Sequence, residues 1–165
     1  MNREMQMVSL KQEASADLAA TRRFFDRTTS VLTEADAGFR ATPETMSVVE
    51  MVAHVAQTLD WLRVGGFEDR WRTDWEVMVA EAARVESLGA ARQWLAEAWD
   101  RLRAAVDAAP EEKLAKPMGD NPFFPGRPRY AVVKSAVDHT GHHRGALGVY
   151  ARLLGKVPPM VYGED

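Results

Sequence analysis

Apolar residues recur every three or four positions along four long stretches of this sequence, and nowhere does a period-two alternation persist. That periodicity dictates helices. The first is expected over Ser9–Leu32, with Leu10, Ala14, Leu18 and Phe24/Phe25 along one side and "ATPETMS" breaking it. Ser47 opens the second with Glu50 three residues on, a capping-box pair in which each side chain satisfies a free backbone N–H. Val48, Met51/Val52, Val55, Leu59 and Leu62 mark its inner side, and Gly65-Gly66 is expected to stop it. Ser87 caps a third helix ending near Pro110, and a fourth spans Tyr130–Leu154, closed by Gly155 and then Pro158-Pro159.

The connections are uneven. Between the second and third helices, "FEDRWRTDWEVMVAEAARVE" holds Trp71 and Trp75 at i, i+4 spacing and is expected to include a short helix. Pro110 to Arg129 carries five prolines and two glycines, which argue against regular helix, and a loop of that length in a small domain is often functional. The expected fold class is all-α: a four-helix bundle with long crossover connections, in one domain over residues 1–165.

Charge and composition exclude several functions. The net charge of −3, with acids interleaved among the arginines, gives no basis for binding nucleic acid or an anionic membrane. No segment reaches the roughly 18 apolar residues of a membrane span, and the N-terminus lacks the apolar core of a signal peptide. Without cysteine there is no disulfide, thiolate ligand or thiol nucleophile. A cytoplasmic location is the expectation.

Three of the four histidines fall within "DHTGHHRGALGVY", Asp138 to Tyr150. His139 and His143, four residues apart, are separated by about 40° on a helix and point at one spot beside it. Their face continues through Val132, Ala136, Leu147 and Tyr150, so both rings should point inward. Charging two adjacent imidazoles in an apolar interior is costly, and each neutral ring keeps polar nitrogens to satisfy. A divalent ion answers both needs, and His54 in "MVAHVAQ" is the natural third ligand from a facing helix. Three neutral imidazoles leave coordination positions open for water or substrate. His142, at i+3 from His139, turns about 60° away and stands as a competing ligand, a substrate contact or a surface histidine. The plain alternative is a set of core histidines with no metal.

The segments "SVVEMVAHVAQTLDW" and "VDHTGHHRGALGVYARLLGKVPPMVYG" resemble the DinB (DinB/YfiT-like) family over nearly the whole chain. One histidine stands on the second helix, then H-x-x-H-H-R-G on the fourth, then a Gly-Lys-x-Pro tail. The resemblance implies an up-down-down-up four-helix bundle, a divalent metal on His54, His139 and His143, and a homodimer. It departs at Ala146, where the family usually has glutamine after Arg-Gly; any hydrogen bond from that glutamine is lost here.

Characterised members of that family include thiol-dependent S-transferases, isomerases and hydrolases, which implies a small-molecule substrate here and a low-molecular-weight thiol as its partner. An open-coordinate ion turns bound water or thiol into a nucleophile near neutral pH. Since the chain has no cysteine, a thiolate must come from a cosubstrate. Imidazole suits several ions, of which zinc or nickel is expected here. Asp138 or His142 is the candidate catalytic group, as orienter or proton shuttle. Arg144 is expected in a structural or interfacial ion pair. Trp71, Trp75, Phe123 and Phe124 either line a pocket mouth or pack the helix ends. A metal-containing binding or stress-response protein without turnover is the alternative function.

Overall fold

A computed structural model describes residues 9–163. The first eight residues, part of the N-terminus weighed above for a signal peptide, lie outside them, as do the last two of the 1–165 span. Six α-helices follow in order: α1 Leu10–Thr29, α2 Val48–Glu68, α3 Trp75–Ala83, α4 Leu88–Ala108, α5 Glu111–Ala115 and α6 Tyr130–Leu153, with a 3-10 turn at Glu34–Asp36. Among the described residues there is no β-strand, only an isolated bridge between Pro117 and Pro128. The fold is all-α.

The helix starts follow local chemistry. Ser9 caps α1 in a reciprocal box with Gln12, Ser47 caps α2 in one with Glu50, and the Ser87 hydroxyl accepts from the Ala90 N–H to open α4. Gly155, at φ 75°, ends α6: its N–H bonds Arg152 and the Lys156 N–H bonds Ala151, the paired arrangement that satisfies the last free carbonyls. α1 ends earlier than its apolar pattern, at Thr29, whose hydroxyl turns back onto the Phe25 carbonyl at 3.0 Å.

Two expectations are corrected. Gly65-Gly66 does not stop α2, which runs on to Glu68 and ends at Asp69 in the left-handed region, φ 55°. Both glycines are buried because neighbours press against the helix there. A Cβ on Gly65 would collide with the Trp71 ring, and one on Gly66 would lie 2.5 Å from Val132 Cγ2. The proline-rich connection also contains a helix after all, α5. Pro110 stands at its N-cap, where its missing N–H costs nothing, and Leu114 is fully buried beneath it.

Side-chain contacts fix how the long helices run. Arg22 of α1 meets Asp100 of α4, and Arg92 near the start of α4 donates to the carbonyls of Thr29 and Leu32, so α1 and α4 are antiparallel. Lys134 early in α6 meets Asp17 early in α1, and Gly148 late in α6 lies against Thr28, so those two run together. Val132 packs on Gly66, while the Tyr150 hydroxyl donates to the Met46 carbonyl just before α2, so α2 and α6 are antiparallel. Between them runs a core of Leu18, Phe25, Val52, Leu59, Leu102 and Leu147, each almost fully buried. Each such aliphatic or aromatic side chain contributes about 1.5–3 kcal/mol by leaving water.

Candidate metal centre

The α2–α6 seam is clamped at both ends. At one end the Asp69 carboxylate accepts from Arg129 Nη2 at 2.6 and 2.8 Å, joining the residue after α2 to the residue before α6. Asp69 tolerates its left-handed backbone partly because short acidic side chains do so better than most. At the other end is the Tyr150–Met46 hydrogen bond, 3.1 Å. Between these clamps His54 of α2 faces His139 and His143 of α6.

The three rings meet. His54 Nε2 and His139 Nε2 are 3.1 Å apart, and one ring nitrogen from each of His54, His139 and His143 lies within 4.8 Å of the others. Ring centroids are separated by 4.9, 4.9 and 4.5 Å. His143 is buried; His54 and His139 are half-buried. Thr58, one turn after His54, brings its hydroxyl to 3.4 Å from His139 Nε2.

Burial is the main reason that these rings hold protons poorly. His139 is pushed down to about 3 and His143 to about 4, and His54 also falls below the ordinary imidazole value, with nearby imidazoles adding to the effect of burial in each case. At neutral pH all three are uncharged and present lone pairs.

That donor set suits a divalent ion. Four nitrogens around zinc at the usual 2.0–2.1 Å stand roughly 3.3 Å apart, close to the 3.1 Å of the His54–His139 pair. His139 Nδ1 and His143 Nδ1 are buried with no hydrogen-bond partner among the described residues. The His54 and His139 Nε2 atoms face each other, and a shared cation would take both lone pairs, leaving each ring's other nitrogen as an N–H donor.

The remaining expected residues divide. His142 is exposed, its ring centroid 4.8 Å from that of His143. Asp138 is also exposed and makes no hydrogen bond to the three rings among the described residues. Arg144 forms no ion pair among the described residues, so the structural pair expected of it is not made within the chain; its guanidinium lies over the rings of Phe24 and Tyr162, at 5.7 and 5.9 Å. Trp71 and Phe123 pack on Trp61, one turn beyond Thr58, with centroids 4.8 Å away in both pairs, and Phe124 packs on Trp71. Trp75, 49% exposed, borders the same group.

Sequence reasoning missed Thr58 and Trp61. Their positions, four and seven residues after His54, place them on the same face of α2, and that spacing was the available signal. It also missed the pocket beside His54, about 130 Å³, walled by Met46, Glu50, Val79, Ala82 and Ala83. That pocket exists only because α3 is held against α2, where the Gln57 amide donates to the Met78 carbonyl and to Glu81.

The family model of the DinB superfamily matches residues 17–147. No curated protein matches the sequence. Among solved structures, a Streptococcus pneumoniae protein aligns with a TM-score of 0.73 at 15% identity, over 92% of this chain and 95% of its own. A DinB-like protein from Bacillus cereus aligns at 0.68 and 17% identity, over 93% and 95%. A mutant mycothiol-dependent maleylpyruvate isomerase aligns at 0.63 and 15% identity, over 86% of this chain and 64% of that protein. At these identities the structural likeness shows a shared fold.

Proposed function

This chain belongs to the DinB superfamily, and from that footing we propose that it is a divalent-metal protein acting on a small molecule, as a thiol S-transferase or a hydrolase. The observation that carries the reading is the meeting of His54, His139 and His143, uncharged at neutral pH and from two helices, within 4.8 Å. We read the helix pairings as one up-down-down-up four-helix bundle domain, working in the cytoplasm as a homodimer.

In this mechanism His54, His139 and His143 hold the ion, zinc or nickel, through neutral nitrogens. When bound, such an ion lowers the pKa of water or of a thiol and supplies a nucleophile near neutral pH. The chain has no cysteine, so the thiol route needs a cosubstrate, and the mycothiol dependence of one structural neighbour supports that route. His142 lies beside His143 and open to solvent, and we assign it the passage of a proton between the site and bulk water. Asp138 lies one turn earlier on the same exposed side, and we assign it the outer position in that relay.

A second reading, a metal-containing binding or stress-response protein without turnover, is favoured by one observation. No carboxylate among the described residues hydrogen-bonds any of the three rings, so no base is fixed against them. Elemental analysis of protein purified without an affinity tag tests the metal, with about one divalent ion per chain expected. Its absence would overturn both readings. Turnover by the loaded protein on thiol-plus-electrophile and ester panels then separates them, and activity unchanged in His143→Ala would sink the catalytic one.

A further inference from the structure

The wall beside His54 has a chemical character that the metal reading does not assign. Trp75 and Val79 stand one turn apart on α3, 49% and 63% exposed, while Met78 and Ala82 between and beyond them are buried. Val79 and Ala82 share the pocket with His54 and Met46. Trp75 is held by its neighbours, Trp61 at 5.5 Å and Phe123 at 5.6 Å between centroids, and still leaves half its surface to solvent. Large apolar side chains are thus exposed in a row that ends at the pocket beside His54.

Charge is spoken for around that row. The Glu50 carboxylate accepts from Arg40 at 2.6 Å and from the Ser47 N–H at 2.8 Å. Arg72 is held by Asp74 and Glu81, and Arg70 by Glu68. Each of these arginines holds a carboxylate, and the residues that wall the pocket include no lysine or arginine, so its lining offers an anionic substrate no cation. The pocket, about 130 Å³, is close to the roughly 150 Å³ in which a benzene ring is accommodated.

We propose that the substrate's body is uncharged and apolar, one aromatic ring or a short branched alkyl group in size, lying on Val79 and Ala82 with Trp75 at its outer edge. The inference rests on the metal reading, which places the reacting end of that molecule at the three histidines.

The test uses the full chain loaded with cobalt(II) and two thiols of similar acidity, benzyl mercaptan and 2-mercaptoethanol, with 3-mercaptopropionate as an anionic third. Elemental analysis reports the ion. A thiolate-to-cobalt absorption band reports binding there, and the Trp75 indole N–H signal, assigned with Trp75→Phe, reports the wall whether or not metal is present. Benzyl mercaptan is expected to bind about tenfold more tightly than either other thiol and to shift the Trp75 signal. Val79→Lys, at a position exposed enough to leave the fold alone, should erase that preference and improve 3-mercaptopropionate. Bound cobalt with equal affinities for the three thiols, or a preference untouched by Val79→Lys, overturns the apolar body and leaves the metal reading standing. Failure to bind cobalt, with a Trp75 response to benzyl mercaptan intact, overturns the metal reading and keeps the wall. Failure of both removes both.

Discussion

Two helix seams of this molecule treat polar groups in opposite ways. Along α1–α4, Arg22 meets Asp100, Ser15 meets Asp107, Lys11 donates to the Asp107 carbonyl, and Arg92 closes on two carbonyls at the end of α1. Along α2–α6, three imidazoles crowd together, and two buried ring nitrogens have no partner among the described residues. The first seam uses polarity to fix register at the surface. The second keeps unmet polarity inside, where it costs most. Single orphan atoms occur elsewhere, as at Trp99 Nε1 on α4 and Thr140 Oγ1 on α6, but three imidazoles crowded together are harder to explain by stability alone, and function is the natural place to look for the rest.

Removing one imidazole should break the contrast most completely. His143→Ala is expected to lower divalent-ion affinity at least about a hundredfold, measured by competition with a chelator, since loss of even an outer partner of a metal ligand costs about 10–100-fold. Retained stoichiometric metal would show that the seam's open polarity has another purpose.

Acid should act next most strongly, and chiefly through the α2–α6 seam. His139 and His143 have folded values near 3 and 4, below the ordinary imidazole value that they regain on unfolding. Between those limits the unfolded chain binds the protons and the folded chain does not. The metal-free protein therefore keeps this contribution above about pH 6.5 and loses it progressively toward the folded values. Urea midpoints followed from pH 7.5 to 5 should fall in the metal-free protein, and fall less when His139 and His143 are both replaced by Gln.

Backbone approach offers a smaller, cleaner cut. Gly66→Ala sets a methyl 2.5 Å from Val132 Cγ2 and should destabilise by about 1–3 kcal/mol while weakening metal binding, because it pries α2 from α6. Gly145→Ala, on α6 with nothing within 4 Å of the added carbon, should instead stabilise by about 0.5–1 kcal/mol. Urea midpoints of the two variants moving in the same direction would contradict the packing account.

The sequence carried much of this, but unevenly. Helix starts were legible because capping is local: Ser47 with Glu50 and Ser87 needed only their neighbours. The meeting of His54 with the α6 pair was legible from helical phase and a family resemblance together. Gly65-Gly66 misled because a glycine that ends a helix and one that admits Trp71 and Val132 look the same until the partner, which lies elsewhere in the chain, is in place. The pocket beside His54 was hidden for a related reason: it needs α3 docked through Gln57, a long-range hydrogen bond with no signature in spacing.

The smallest effect sharpens the contrast from the other side. Asp100→Asn removes the 2.6 Å contact with Arg22, but the two side chains are 69% and 37% exposed, so water already screens the pair. Arg22 also keeps Asp26 one turn along α1, at 3.9 Å. The loss should lie within about 0.2–1 kcal/mol and shrink further in high salt. Metal affinity in the same variant should match the wild type, because nothing in the α1–α4 seam reaches the imidazoles. If Asp100→Asn instead weakened metal binding, the two seams would be mechanically coupled through the core, and the paired charges of one would have to be counted among the supports of the other.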